Sequence, residues 1–303
     1  MIDLHVDLPY AVHVQHRTLA VVQSSPARLA AGNVRAIVTP LFVPGAYAMS
    51  PAEARAAYEV TYADVPRLTG TERWLSFEGA DGFADDPSKI DAWIARGACL
   101  VGLVHDHSNA LGGASQDPDT AARARGLTPA GKKLAAYVVA NGALLDAAHA
   151  SDATFDDLLQ IARNAGVPLV VSHTGLRARR DIMRNIDDGR MREVAATGGI
   201  IGISMHSGHI ARVAGERATL GDVADAIVHA LAVAGKDHVA IGSDFDGSIT
   251  APENANGEAV WPRMHDELRA RRISEDTIDA VFQRNASRVF AVARSHGCHP
   301  GSR

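Results

Sequence analysis

Short apolar runs rich in β-branched residues recur along the chain, each followed by a longer amphipathic, alanine-rich stretch. That alternation predicts parallel strands joined by helices. Eight strands are expected: Ile2–Val6, Val34–Leu41, Trp74–Phe77, Cys99–Val104, Ala143–Ala147, Pro168–Val171, Gly199–Ser204 and His238–Gly242. Nearly every position in them is apolar, as in strands buried on both faces. Helical patterns lie between them. Pro51–Leu68 opens with Ser50 as N-cap and proline at the first helical position. Ala130–Ala140 follows Thr128-Pro129, and Ser151–Ala165, Asp187–Thr197, Leu220–Ala234 and Ser274–Ala293 complete the set. Gly142, Gly166, Gly198 and Gly235 stand where C-caps are needed. Eight strands alternating with helices in 303 residues predict a (β/α)8 TIM barrel, one catalytic domain over residues 1–303 with a short polar C-terminal tail from Ser295. An open doubly wound sheet shares the alternation, but eight strands in this length close naturally. No Gly-x-Gly-x-x-Gly follows the first strand, so dinucleotide binding has no support.

Composition narrows the function. Aromatics are only 5% of the chain, so its core must rest on aliphatic side chains. The net charge of −5 and the lack of a basic block argue against nucleic acid as a partner. No window approaches the roughly 20 apolar residues of a membrane span, and the start of the chain lacks the basic-then-apolar pattern of a signal peptide. A cytoplasmic enzyme without a membrane partner is the expectation. Cys99 and Cys298 are too few for a disulfide framework, and Cys298 falls in the polar tail.

The chemistry lies in where the histidines and acids fall. His5 and Asp7 close the first predicted strand, and alternation along it puts both side chains on one side. Glu78 follows the third strand, His105 the fourth, His149 the fifth, His173 the sixth and Asp244 the eighth. In a barrel these strand ends meet at one mouth. A carboxylate directly after a buried strand is costly unless it is paired or binds a cation. Imidazoles and carboxylates are the ligands of zinc and similar divalent ions, and this set is too large for one catalytic zinc. It suits two divalent cations bridged by one carboxylate. The four lysines, Lys89, Lys132, Lys133 and Lys236, fall in helices or loops, which leaves Glu78 rather than a modified lysine as the bridge. Of the other histidines, only His206 and His209, after the seventh strand, are placed to line the mouth.

These residues sit in motifs that resemble the membrane (renal) dipeptidase family, the M19 peptidases. The likeness covers nearly the whole chain and runs through seven elements in order: Asp3-Leu4-His5-Val6-Asp7-Leu8-Pro9, Phe77-Glu78-Gly79, Leu103-Val104-His105, Gly126-Leu127-Thr128-Pro129-Ala130-Gly131, Asp146-Ala147-Ala148-His149-Ala150-Ser151, Ser172-His173 with Arg184-Asn185 beyond it, and Gly242-Ser243-Asp244-Phe245-Asp246-Gly247. The resemblance implies that His5 and Asp7 hold one zinc, that His149 and His173 hold the other, and that Glu78 bridges them. It implies that His105 binds the scissile carbonyl, that Arg184 holds the substrate's terminal carboxylate, and that Asp244 handles protons and the amino end. Val104 replaces the family's common threonine, Thr174-Gly175 replaces Ser-Ser or Ser-Ala, and Arg177, Arg179 and Arg180 are rival cations near Arg184.

The expected activity is zinc-dependent hydrolysis of dipeptides by a bridging hydroxide, with D-residues at the C-terminal position as an option. Asp244 would pass the proton to the leaving amine. Hydrolysis of N-acyl amino acids, lactones or β-lactams on the same site is the alternative, decided by loops 106–125 and 174–183. A non-catalytic metal- or peptide-binding barrel is more remote, because no working residue is missing. Members of the family are often homodimers, and no interface signature is visible in the sequence.

Overall fold

The computed structural model describes residues 1–64 and 67–300. Eight parallel strands close into a barrel in sequence order: β1 Ile2–Asp3, β2 Ala36–Leu41, β3 Glu72–Glu78, β4 Ala98–Gly102, β5 Leu144–Asp146, β6 Val170–Thr174, β7 Ile200–Ile203 and β8 Val239–Ile241. β8 pairs back to β1 through Ile241 and Asp3. All eight expected strands are present, and the open-sheet alternative is set aside by that closure. β1 is shorter than expected, but its extension survives as single contacts. The Leu4 and Val6 amides donate to the Ile241 and Val38 carbonyls, which carries His5 and Asp7 to the rim.

The helices include α1 Pro51–Ala63, α2 Pro129–Ala140, α3 Asp152–Ala165, α4 Asp188–Ala196, α5 Leu220–Ala234, α6 Trp261–Ala270 and α7 Asn285–Ser295. α1 begins as expected, with a capping box between Ser50 and Glu53. It stops at Ala63, five residues short of the expected end, and residues 65 and 66 of that expected helix lie outside the described residues. No described helix is long and apolar enough to cross a membrane.

Successive strand residues point to opposite faces, and the core divides accordingly. Ile37, Leu75, Val101, Leu145, Val171, Ile201 and Val239 join the large cluster shared with outer helices. Their neighbours Val38, Trp74, Leu100, Leu144, Val170, Ile200 and Ala240 join a second cluster with Leu4 and with Ala286, Val289, Phe290 and Ala293 of α7. Residues expected to form one outer helix, Ser274–Ala293, therefore include a plug packed on the interior side chains of the barrel. Arg288 holds the plug by donating to the Gly198 and Asp237 carbonyls, just ahead of β7 and β8. Arg294 stacks over Trp74 and pairs with Glu72 at the start of β3.

The tail also departs from expectation. Cys99 and Cys298 form a disulfide across 199 positions and both are fully buried. Two cysteines still make no framework, but they staple the end of the plug to β4. The sequence reading missed the bridge because a polar tail gives no sign that one of its residues reaches the barrel floor.

Candidate metal centre and active site

The C-terminal ends of the strands gather the expected residues. Glu78 is the last residue of β3, and Gly79 turns the chain at φ +91°, a conformation glycine adopts without steric cost. His173 lies within β6. His149 and Asp244 each follow a strand by three residues and each has a left-handed backbone, with φ of 61° and 66°. Such angles cost a non-glycine residue on the order of 1 kcal/mol or more, and they concentrate at functional sites. The mouth is tight near β6: a Cβ on Gly202 or Gly242 would fall 1.9 or 1.7 Å from the Ser172 carbonyl oxygen.

Glu78 is the hub. Its Oε1 lies 3.3 Å from His5 Nε2, 3.1 Å from His149 Nε2 and 3.6 Å from His173 Nε2. Its Oε2 is 3.9 Å from His105 Nε2. Asp7 Oδ2 stands 3.4 Å from His5 Nε2, and the Nε2 atoms of His149 and His173 are 3.1 Å apart. All of these residues except His105 are buried. Their ligand atoms form overlapping groups: His5, Asp7 and Glu78; Glu78, His105 and His149; and His5, His173 and Asp244.

The electrostatics fit a cation. Burial pushes the Glu78 carboxyl up, but the facing imidazoles of His5 and His105 outweigh it and hold it well below the usual range. Burial pushes His5 down, yet Glu78 and Asp7 outweigh that and raise it well above an ordinary histidine. The pocket thus draws a positive charge onto His5, whose Nε2 is buried without a hydrogen-bond partner among the described residues. Burial followed by the charge of His5 drives His173 well down, and burial followed by His149 lowers His105 to about 4. Neutral imidazoles of this kind are ready metal ligands. Burial, reinforced by the charge of Asp7, raises Asp244 well above the carboxylate range. Asp7 itself is raised to about 6, by burial against the pull of His5.

Two supporting residues escaped the sequence reading. Ser172 Oγ lies 2.9 Å from His173 Nδ1 and 3.4 Å from His5 Nδ1, so one hydroxyl backs both imidazoles and leaves both Nε2 atoms facing Glu78. Asp106 Oδ1 lies 3.3 Å from His149 Nδ1. Burial raises the Asp106 carboxyl, but the facing His149 imidazole, followed by His105, brings it down to about 2. Ser172 had a signal in the Ser172-His173 motif but no role attached to it, and Asp106 offered only its place after His105.

Asp7, Glu78, His105, His149 and Asp244 open onto a cavity of about 360 Å³, walled by Tyr10, Phe42, Pro44 and Ile249 and joined by His206 and His209 as expected. Arg184 sits beside it in a smaller recess with His149, Thr174 and Asn185. It is buried and donates to the His173 carbonyl at 3.1 Å, while its Nε and Nη2 have no hydrogen-bond partner among the described residues. Two of its rivals are engaged elsewhere, Arg177 with Asp152 and Arg179 with Asp222. The lysines are remote from the centre: Lys132 pairs with Asp157 and Lys236 with Asp276.

Comparison with known proteins identifies the family and the fold. The sequence model described as membrane dipeptidase (peptidase family M19) matches residues 61–297. An uncharacterised Klebsiella pneumoniae protein from the pqqA 5′ region is 32% identical over 221 residues, covering 70% of this chain and 79% of that protein. The Aspergillus oryzae dipeptidase aclJ is 28% identical over 225 residues, covering 73% of this chain and 52% of that protein, so the match spans about half of its length. A crystal structure of a Rhodobacter sphaeroides metallopeptidase, liganded with a phosphinate mimic of the dipeptide L-Ala-D-Ala, superposes with a TM-score of 0.82. It covers 97% of this chain and 98% of its own at 18% identity, a likeness of fold.

Proposed function

Because the chain belongs to the membrane dipeptidase family, peptidase family M19, we propose that it is a dipeptidase working with two divalent cations, zinc being the ion its ligand set suits best. The observation that carries this reading is the convergence of four imidazoles on the Glu78 carboxylate, with Asp7 beside His5 and all of these residues but His105 buried. His5 and Asp7 with Glu78 would hold one cation, and His149 and His173 with Glu78 the other. When bound, such a pair supplies Lewis-acid polarisation of a carbonyl and a water acidic enough to attack at neutral pH.

The chain's own residues do the rest. His105 is neutral at pH 7 and so offers one ring N–H to the oxygen of the scissile carbonyl as negative charge builds there. Asp244 stands among the ligand atoms, where it accepts a proton and returns it to the leaving amine. Arg184 offers its two unpartnered nitrogens to the substrate's free carboxylate, a planar fork matched to a planar anion. The apolar walls of Tyr10, Phe42 and Ile249 receive side chains and exclude water.

The test is a panel of L,L- and L,D-dipeptides assayed beside N-acyl amino acids and β-lactams, with metal-loaded and chelated protein. Turnover of dipeptides that disappears on chelation and returns with zinc supports the proposal. Turnover of the N-acyl or lactam substrates alone would move the assignment to another amide hydrolysis at the same centre.

A further inference from the structure

Three histidines of the centre face Glu78 through Nε2, and each, to give that lone pair to a cation, must carry its proton on Nδ1. That N–H needs an acceptor, because a buried unpaired donor is costly. His5 and His173 share the Ser172 hydroxyl. His149 has no such neighbour: its Nδ1 is buried and has no hydrogen-bond partner among the described residues. Asp106 stands beside it with Oδ1 at 3.3 Å, within an acceptor's reach though not aligned as a hydrogen bond here. The other oxygen, Oδ2, is 3.6 Å from His105 Nδ1, too long for a hydrogen bond. His105 thus keeps its freedom to carry a proton on Nε2. The left-handed backbone of His149 places its imidazole beyond the end of β5, where the barrel itself no longer fixes the ring.

We propose that Asp106 is the positioning residue that fixes His149 in the Nδ1–H tautomer and aims its Nε2 at the second cation. The proposal rests on the two-cation reading above. Ligating histidines generally donate their other N–H to such an outer partner, and loss of that partner typically weakens metal binding 10- to 100-fold. Asp106 is half-exposed and lies in the loop after β4, so its substitution leaves the core intact.

The experiment is Zn²⁺ titration of metal-free wild type, Asp106→Ala and Asp106→Asn against a chromophoric chelator, with dipeptide KM and kcat measured in parallel. Thermal melting of the metal-free proteins checks that all three are folded. Asp106→Ala is expected to weaken one of two zinc sites about 10- to 100-fold and spare the other. Asp106→Asn keeps an acceptor oxygen and is expected to weaken that site less. Two wild-type affinities in Asp106→Ala would overturn the proposal. So would a rise in KM at unchanged zinc affinity, which would make Asp106 a contact for the substrate's ammonium group. Wild-type protein that binds no zinc would instead defeat the two-cation reading itself, and this proposal with it.

Discussion

The Nε2 atoms of His149 and His173 stand 3.1 Å apart, and both lie within 3.6 Å of the same oxygen of Glu78. Two imidazoles cannot both present a proton across so short a gap. A cation accepting both lone pairs satisfies them together with the carboxylate. His149→Ala and His173→Ala are each expected to lower dipeptide turnover by more than about 100-fold, since even outer partners of metal ligands are worth 10- to 100-fold. Metal analysis of the same variants should show the loss of one cation. Full metal content with unchanged turnover would remove both residues from the centre.

Next to the ligand cluster, Arg184 carries buried nitrogens with no hydrogen-bond partner among the described residues. Arg184→Ala is expected to lower kcat/KM for free dipeptides about 10- to 100-fold, because a hydrogen bond to a charged group is worth about 1.5–3 kcal/mol. A dipeptide amide, which lacks the carboxylate, should be a poor substrate of both proteins and lose little further. Equal losses on the two substrates would show that Arg184 does not read the carboxylate.

Away from the cavity, Glu258 is fully buried and accepts a hydrogen bond from Trp261 Nε1. Burial, reinforced by the charge of Asp3, raises the Glu258 carboxyl well above its usual range, and Asp3 is itself raised by burial. The folded chain therefore keeps a proton that the unfolded chain gives up above about pH 4.3. Stability contributed by this pair is full below that point and declines as pH climbs toward the raised folded value. Glu258→Gln keeps an acceptor for Trp261 and removes the titration. Its melting temperature is expected to exceed that of wild type at pH 8 and to lose that advantage at pH 4. A difference independent of pH would contradict this account of the pair.

The staple between Cys99 and Cys298 closes a loop of 199 residues at the floor of the barrel. Cys298→Ser is expected to cost about 2–5 kcal/mol of stability, measured by denaturant unfolding, with kcat on dipeptides unchanged because the bridge lies at the end opposite the cavity. Denatured protein should show no free thiol until it is reduced. Persistent bridges of this kind belong to oxidising surroundings, so thiol labelling inside intact cells also tests the expected cytoplasmic location.

The order of strands and the polar residues at their ends were legible in the sequence because both are local signals. A buried apolar run has a definite end, and a histidine or acid placed there in a parallel barrel has one mouth to enter. His5, Asp7, Glu78, His149 and His173 could be brought together on that basis alone. What escaped depends on contacts between distant segments. Ser172 and Asp106 look like ordinary loop or strand polars until the ring nitrogens behind them are in place. Residues 285–293 carry the periodicity of an outer helix and give no sign that they plug the barrel interior. Cys298 shows the same limit, since only the path of that plug brings it against β4.

Metal content measured beside turnover, on wild type and Glu78→Gln, tests the central claim most directly. The account predicts two divalent cations per chain and dipeptide hydrolysis in wild type, both lost on chelation and restored together by zinc. Glu78→Gln should retain fewer than two cations and almost no turnover. Hydrolysis that survives complete chelation, or a Glu78→Gln protein with two cations and full activity, would contradict it.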